Sequence, residues 1–244
     1  MLGMTHFGRG FQGMRHHNQV IPLDRNVRRK IRRATRDLAA ARENLPDLDF
    51  TFGMSAQLFM LLGVATEIEA RSRKYFDAAE MCMEELCRCR PSERESWCNC
   101  GLLVLQNADR LPDFCKATLL DRAIGRLKNA HKFSAPDRDP EVPYALSACL
   151  LLQAQLEDPE LATMLRREAE RYADEAEGIL IGAGAYNLAC VAAHQGNEDA
   201  CEHWLQIAVD QRNPPNAQMY FEDPDLKTYA SADWFHTCVS TLEQ

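Results

Sequence analysis

Residues 185–214 read AYNLACVAAHQGNEDACEHWLQIAVDQRNP. Small and apolar residues recur at three- and four-residue steps on both sides of Gly196, with Leu188 and Ala189 before it and Cys201, Leu205 and Ala208 after it. That period is helical, and a glycine between two such stretches is a turn signal. The stretch therefore predicts two antiparallel helices, over 185–194 and 197–211. Its composition is that of close packing: small residues let two helix axes approach, and large ones fill the neighbouring element.

The same alternation runs backwards along the chain. Asp158-Pro159, a cap followed by a first-turn proline, opens a helix over 159–179. Before it, helices are expected over 143–156, 118–133 and 92–106, the last introduced by Ser92 and Glu95 at capping-box spacing. A helix over 76–90 stops at Pro91. Another over 55–71 carries Leu58, Leu61, Leu62, Ala65 and Ile68 on its apolar side. Over 24–45, Asp24 is the expected cap, with Asn26 its rival; Val27, Ile31, Ala34, Leu38, Ala41 and Leu45 form the apolar stripe, and Pro46 ends the helix. No run of alternating β-branched residues occurs, and 12 Gly and 11 Pro in 244 residues are few. The class is all-α.

The quoted stretch resembles a tetratricopeptide repeat, whose unit is two antiparallel helices of about 34 residues together. Leu188-Ala189 stand for that family's Leu-Gly, Gly196 for its turn, and Leu205 with Ala208 for the large-then-small pair of its second helix. Leu62-Gly63 with Ala79, Met83, Leu86 and Pro91 follow the same scheme. So do Trp97 and Cys100-Gly101 with Ala123, Leu127, Ala130 and Pro136, and, more loosely, the stretch from Tyr144 with Ala169, Ala173 and Ala176. The resemblance implies a right-handed α-solenoid of about four hairpins over 55–213. Ahead of it stand an arm over 1–23 and a basic helix with its connection over 24–54. The tail over 214–244 resembles the Asp-Pro-Asp-Leu segment that closes such arrays in bacterial proteins. Leu226, Tyr229, Trp234 and Phe235 are expected to cover the last hairpin, while Asp223 and Asp225 read as helix caps.

Charge is divided. The chain carries −8, yet Met1 to Glu43 hold ten Lys and Arg against three acids, so a +7 head precedes a −15 body. An acidic body argues against broad nucleic-acid binding. No apolar run spans a bilayer. The N-terminal residues lack the pattern of a secretory leader, so a cytoplasmic location with the ten cysteines as free thiols is the expectation, and an organelle transit peptide over the first 23 residues is the alternative.

Four of those thiols, Cys87, Cys89, Cys98 and Cys100, are close in sequence, but each pair is two residues apart on an expected helix and so points to opposite sides. They read as core rather than as a zinc site. The arm's His6, His16 and His17 offer no preorganised geometry. No phosphate loop, nucleophile elbow or zinc-protease motif is present. No catalytic residue, metal or cofactor is therefore expected.

The resemblance implies that the first helix of each hairpin lines a concave groove. That places Met60, Val64, Leu102, Leu105, Tyr144, Leu151, Tyr186 and His194 on a largely apolar surface. Asn99 and Asn187 match the Asn with which chaperone-binding relatives grip a terminal carboxylate, but Met60, Val64, Tyr144 and Ala148 stand where the flanking cations belong. The expected function is a non-catalytic scaffold, adaptor or assembly chaperone holding an apolar helix or extended segment of another protein. The alternative is binding of nucleic-acid phosphates by Arg28, Arg29, Arg32 and Arg36, although no aromatic residue is interleaved between Arg25 and Arg42 to stack on bases.

Overall fold

The computed structural model describes residues 24–44, 49–66, 69–108, 113–134, 139–214 and 216–243. All regular elements among them are helical, with no strand. They form two compact units, one ending at Phe133 and the other beginning at Ser134. The expected arm over 1–23, with its histidines, lies outside the described residues, as do Leu45, Pro46, Ile68 and Pro136. None of the described helices is long and apolar enough to cross a membrane.

The first unit contains α1 (Arg25–Asn44), α2 (Phe50–Val64), α3 (Glu69–Cys89), α4 (Arg94–Ala108) and α5 (Asp113–Lys132). The helices pack as adjacent pairs, α2 on α3 and α4 on α5, and α3 also packs on α4. Arg90, just past α3, holds Asp49, just before α2, so that pair is antiparallel. Small residues set the spacing. A Cβ on Gly63 would lie 2.8 Å from the Phe76 ring, and one on Gly101 would lie 2.7 Å from Leu127. Two ion pairs lace α3 to α5: Arg122 with the buried Glu80, and Arg126 with Glu84.

Several boundaries in this unit differ from the sequence reading. The helix expected over 55–71 runs from Phe50 to Val64, and α3 begins at Glu69 rather than at 76. Ser55, which looks like a helix start, is fully buried inside α2. The end of α2 is fixed by side chains that take its freed carbonyls: Thr66 Oγ1 donates to Leu62 O at 2.5 Å, and Ser72 Oγ donates to Gly63 O at 2.8 Å. The start of α4 differs as well. It begins at Arg94, where the Glu93 carboxylate accepts from Ser96 and from Arg90, in place of the expected exchange between Ser92 and Glu95.

The second unit contains α6 (Glu141–Ala154), α7 (Pro159–Ile179), α8 (Ala185–His194), α9 (Glu198–Asp210), α10 (Ala217–Glu222) and α11 (Asp233–Val239), followed by a 3-10 turn at Ser240–Glu243. Here α6 packs on α7 and α8 on α9, with α8 also against α6 and α7. Asp158 caps α7 by accepting from the Glu160 and Leu161 amides at 3.1 and 3.0 Å. Asn197 caps α9 through the Ala200 amide at 3.1 Å, directly after Gly196, whose φ of +69° suits glycine. Adjacent packed pairs in both units make this a helical-repeat-like all-α fold.

The tail does cover apolar surface: Leu226 and Phe235 are fully buried, and α11 packs on α9. Trp234 Nε1 donates to Glu198 Oε1 at 2.7 Å. Asp223 and Asp225, however, cap no helix start. Both are buried against α8, because the residues they bond lie there and beyond α6, far away in sequence.

Candidate functional site

Helix α1 keeps most of the expected stripe inward, with Ala41 also half-buried, but leaves Val27 out. Ile31 and Thr35 are its buried residues, Ala34 and Leu38 are half-buried, and Val27 is 40% exposed. The helix is turned so that half-buried Arg28 reaches the protein, donating from Nη2 to Ala65 O at 2.7 Å. This guanidinium sits at the C-terminal end of α2, where the helix dipole favours a cation.

Beside α1 lies a cleft of about 1050 Å³, which α2 and α3 also line. Arg25, Arg28, Arg29, Arg32 and Arg36 contribute its basic wall, and Phe59, Leu62 and Tyr75 contribute apolar and aromatic surface from the other two helices. Arg32 Nη2 donates to Tyr75 Oη at 3.2 Å, and Arg29 Nη2 donates to Asn26 Oδ1 at 3.2 Å. Arg25, Arg29, Arg32 and Arg36 make no ion pair with a described residue; on α1 the nearest acid, Asp37, pairs with Arg33 at 3.9 Å. Like charges stand four residues apart at Arg25 and Arg29, Arg28 and Arg32, and Arg32 and Arg36. Each such pair costs a helix about 0.2–0.5 kcal/mol. A multivalent anion would offset that repulsion, and guanidinium groups suit carboxylates and phosphates alike through paired N–H bonds.

The expected groove residues are largely covered. Leu102, Leu105, Tyr144, Leu151 and Tyr186 are all under 8% exposed. Met60 and Val64 are half-buried, and Met60 packs against the cluster around Met83 and Cys87. Tyr186 is fully buried, its ring edge-on to Tyr220 at 5.3 Å and its hydroxyl donating to Asp223. The His194 side chain is 26% exposed, and its Nε2 lies 2.7 Å from Asp225 Oδ1. In the second unit, then, the tail rests on the face where Tyr186 and His194 were expected to meet a partner.

The four clustered cysteines separate. Cys89 is exposed, whereas Cys87, Cys98 and Cys100 are buried. Cys87 and Cys100 meet across α3 and α4, and their mutual hydrogen bond, with burial, keeps the proton on Cys87 well above the usual thiol range. The bond from Cys87, and then the charge of Arg126, draw Cys100 down.

Sequence reading located the arginines but not the rings beside them. Phe59 and Tyr75 come from α2 and α3, dozens of residues away, and no local pattern on α1 announces them. The chain matches no protein-family model and no curated protein.

Proposed function

We propose that the chain is a non-catalytic protein-binding scaffold of tetratricopeptide-like hairpins, wound right-handedly within each unit. Its contact surface is the cleft beside α1, and its partner is an acidic segment carrying apolar side chains. One observation carries this reading. Arg25, Arg29, Arg32 and Arg36, which make no ion pair with a described residue, stand over a floor containing Phe59 and Leu62. Carboxylates of a partner would pair with Arg29, Arg32 and Arg36, and its apolar side chains would fill the floor. The chaperone or adaptor role expected from the resemblance attaches to this cleft better than to the covered groove.

A second reading draws on Tyr75 beside Arg32. A ring next to a guanidinium also suits a nucleotide base and its phosphate. The −15 body outside the head favours a short acidic peptide over a long polyanion, which it would repel along its length.

Fluorescence anisotropy with two labelled probes tests the proposal: a peptide alternating Glu and Leu, and single-stranded homopolymeric RNA. The expected result is peptide binding that weakens only moderately as salt rises, because its apolar contacts are not screened, and that is lost in the Phe59→Ala and Arg32→Glu/Arg36→Glu variants. Binding of RNA alone, falling steeply with salt, would establish the second reading. Binding of neither probe would remove the cleft as a site.

A further inference from the structure

We infer that Cys190, Asp223 and Asp225 form a binding site for a divalent transition-metal ion, zinc being the best match, which fastens the tail to α8. Their ligand atoms, one sulfur and two carboxylate oxygens, lie within 4.8 Å of one another, and all three residues are buried. Ligands of a tetrahedral zinc stand roughly 3.3–3.8 Å apart, given bonds of about 2.0–2.3 Å, so a small inward movement of the side chains closes the site.

The surroundings are those of an oriented metal site. Ligating carboxylates are usually held by second hydrogen bonds that aim their remaining lone pairs. Here Asp223 accepts from the Tyr186 hydroxyl and, at 2.9 Å, from the Asp225 amide. Asp225 Oδ1 accepts from Gln155 Nε2 at 2.8 Å and faces His194 Nε2 at 2.7 Å. Two buried carboxylates beside a thiol repel one another once ionised, and a dication reverses that balance while stripping the thiol of its proton.

An independent observation points the same way. Asn187 is fully buried; its Nδ2 donates to Tyr144 O at 3.2 Å, yet its Oδ1 has no hydrogen-bond partner among the described residues. Asn187 stands three residues before Cys190 and seven before His194, on the α8 face that meets Asp223 and Asp225. A buried amide oxygen with vacant lone pairs is an acceptor that a cation can recruit directly or through its bound water. The donor set of thiolate, carboxylate and amide oxygen, with imidazole close by, suits a borderline ion over calcium or magnesium.

The experiment uses the full chain, stripped with a chelator under reducing conditions and titrated with Co²⁺ as a visible probe and then with Zn²⁺ in competition. One equivalent of Co²⁺ should bind with a thiolate-to-cobalt absorption band, be displaced by Zn²⁺, and release a proton. The band should vanish in Cys190→Ser and Asp225→Asn and persist in Cys87→Ser/Cys100→Ser. Tyr186→Phe, which removes the hydroxyl that holds Asp223, should weaken binding about 10–100-fold while keeping the band. Absence of the band in the wild type, or its loss in Cys87→Ser/Cys100→Ser alone, would overturn the proposal. Where Cys190→Ser fails to fold, X-ray absorption of the zinc-loaded wild type decides. A single sulfur among oxygen or nitrogen neighbours supports the site, and two or more sulfurs refute it.

Discussion

Arg90 grips Asp49 with two parallel bonds, Nε to Oδ2 at 2.6 Å and Nη2 to Oδ1 at 2.7 Å. The pair joins the end of α3 to the start of α2, positions 41 residues apart. Asp49 occupies the N-cap position of α2 but makes no side-chain cap bond there, because its carboxylate is committed to Arg90. The same guanidinium reaches Glu93 at 2.8 Å, so one arginine organises two helix starts.

This pair has a pH signature. The hydrogen bond from Arg90, reinforced by its charge, holds the Asp49 carboxyl below its ordinary value of 3.8. A carboxyl depressed in the folded state adds stability that is present above its unfolded pKa and disappears as pH falls through the folded one. Asp49→Asn should therefore lower the melting temperature at neutral pH. The gap between variant and wild type should close as the pH is taken below 3.8. Thermal melts of both proteins across that range check the sign, and a gap that widened in acid would contradict it.

Close packing of the pairs makes a second prediction. At Gly101 any Cβ meets Leu127 at 2.7–2.9 Å and the Ala123 carbonyl at 3.2 Å, so Leu127 and the α5 backbone would both have to give way. Gly101→Leu should destabilise the fold by about 1–3 kcal/mol, the usual cost of overpacking. A Cβ placed on Gly125, also in this pair, would meet no described atom within 4 Å outside its own stretch of helix, and Gly125→Ala should be neutral or slightly stabilising. Urea denaturation of the two variants side by side makes each the control for the other.

Helix identity was legible wherever the signal was local. Asp158-Pro159 and Gly196-Asn197 carry their own cap and turn chemistry, and α7 and α8 have the predicted bounds. The start of α2 was not legible, because the residue ahead of it spends its carboxylate on an arginine 41 positions away. The same limit applied to the candidate sites. The arginines of α1 could be read as a face, but the rings beside them belong to other helices. Asp223 and Asp225 read as caps because, beyond the local bond from the Asp225 amide to Asp223, their partners Tyr186, His194 and Gln155 are at least 31 residues distant.

The cysteines should divide by reactivity. Thiolates are the nucleophiles, and burial disfavours them. Burial pushes Cys201 up to about 12 and Cys238 up to about 11, with neighbouring carboxylates adding to both. Cys89 is exposed. Limited alkylation of the reduced native protein at mildly alkaline pH, read by peptide mass spectrometry, should modify Cys89 first and leave Cys201 and Cys238 protected until the chain unfolds. Early labelling of Cys201 would mean that α9 opens far more readily than its packing implies.

The cleft should show a trade between stability and binding. Arg32 has a like charge four residues away on each side, Arg28 and Arg36, and is exposed. Arg32→Glu removes both repulsive pairs and creates two attractive ones, of which the new carboxylate ahead of Arg36 has the better orientation along the helix. At about 0.2–0.5 kcal/mol for each change, the gain is roughly 1 kcal/mol, reduced by loss of the bond to the Tyr75 hydroxyl. The variant should thus melt no lower than the wild type, and somewhat higher at low salt, while losing the acidic peptide. Surface positions kept against their own stability are those that function requires. Should Arg32→Glu both destabilise the protein and leave peptide binding intact, Arg32 would instead be holding α1 in place, and the arginine wall would have no claim to be a binding surface.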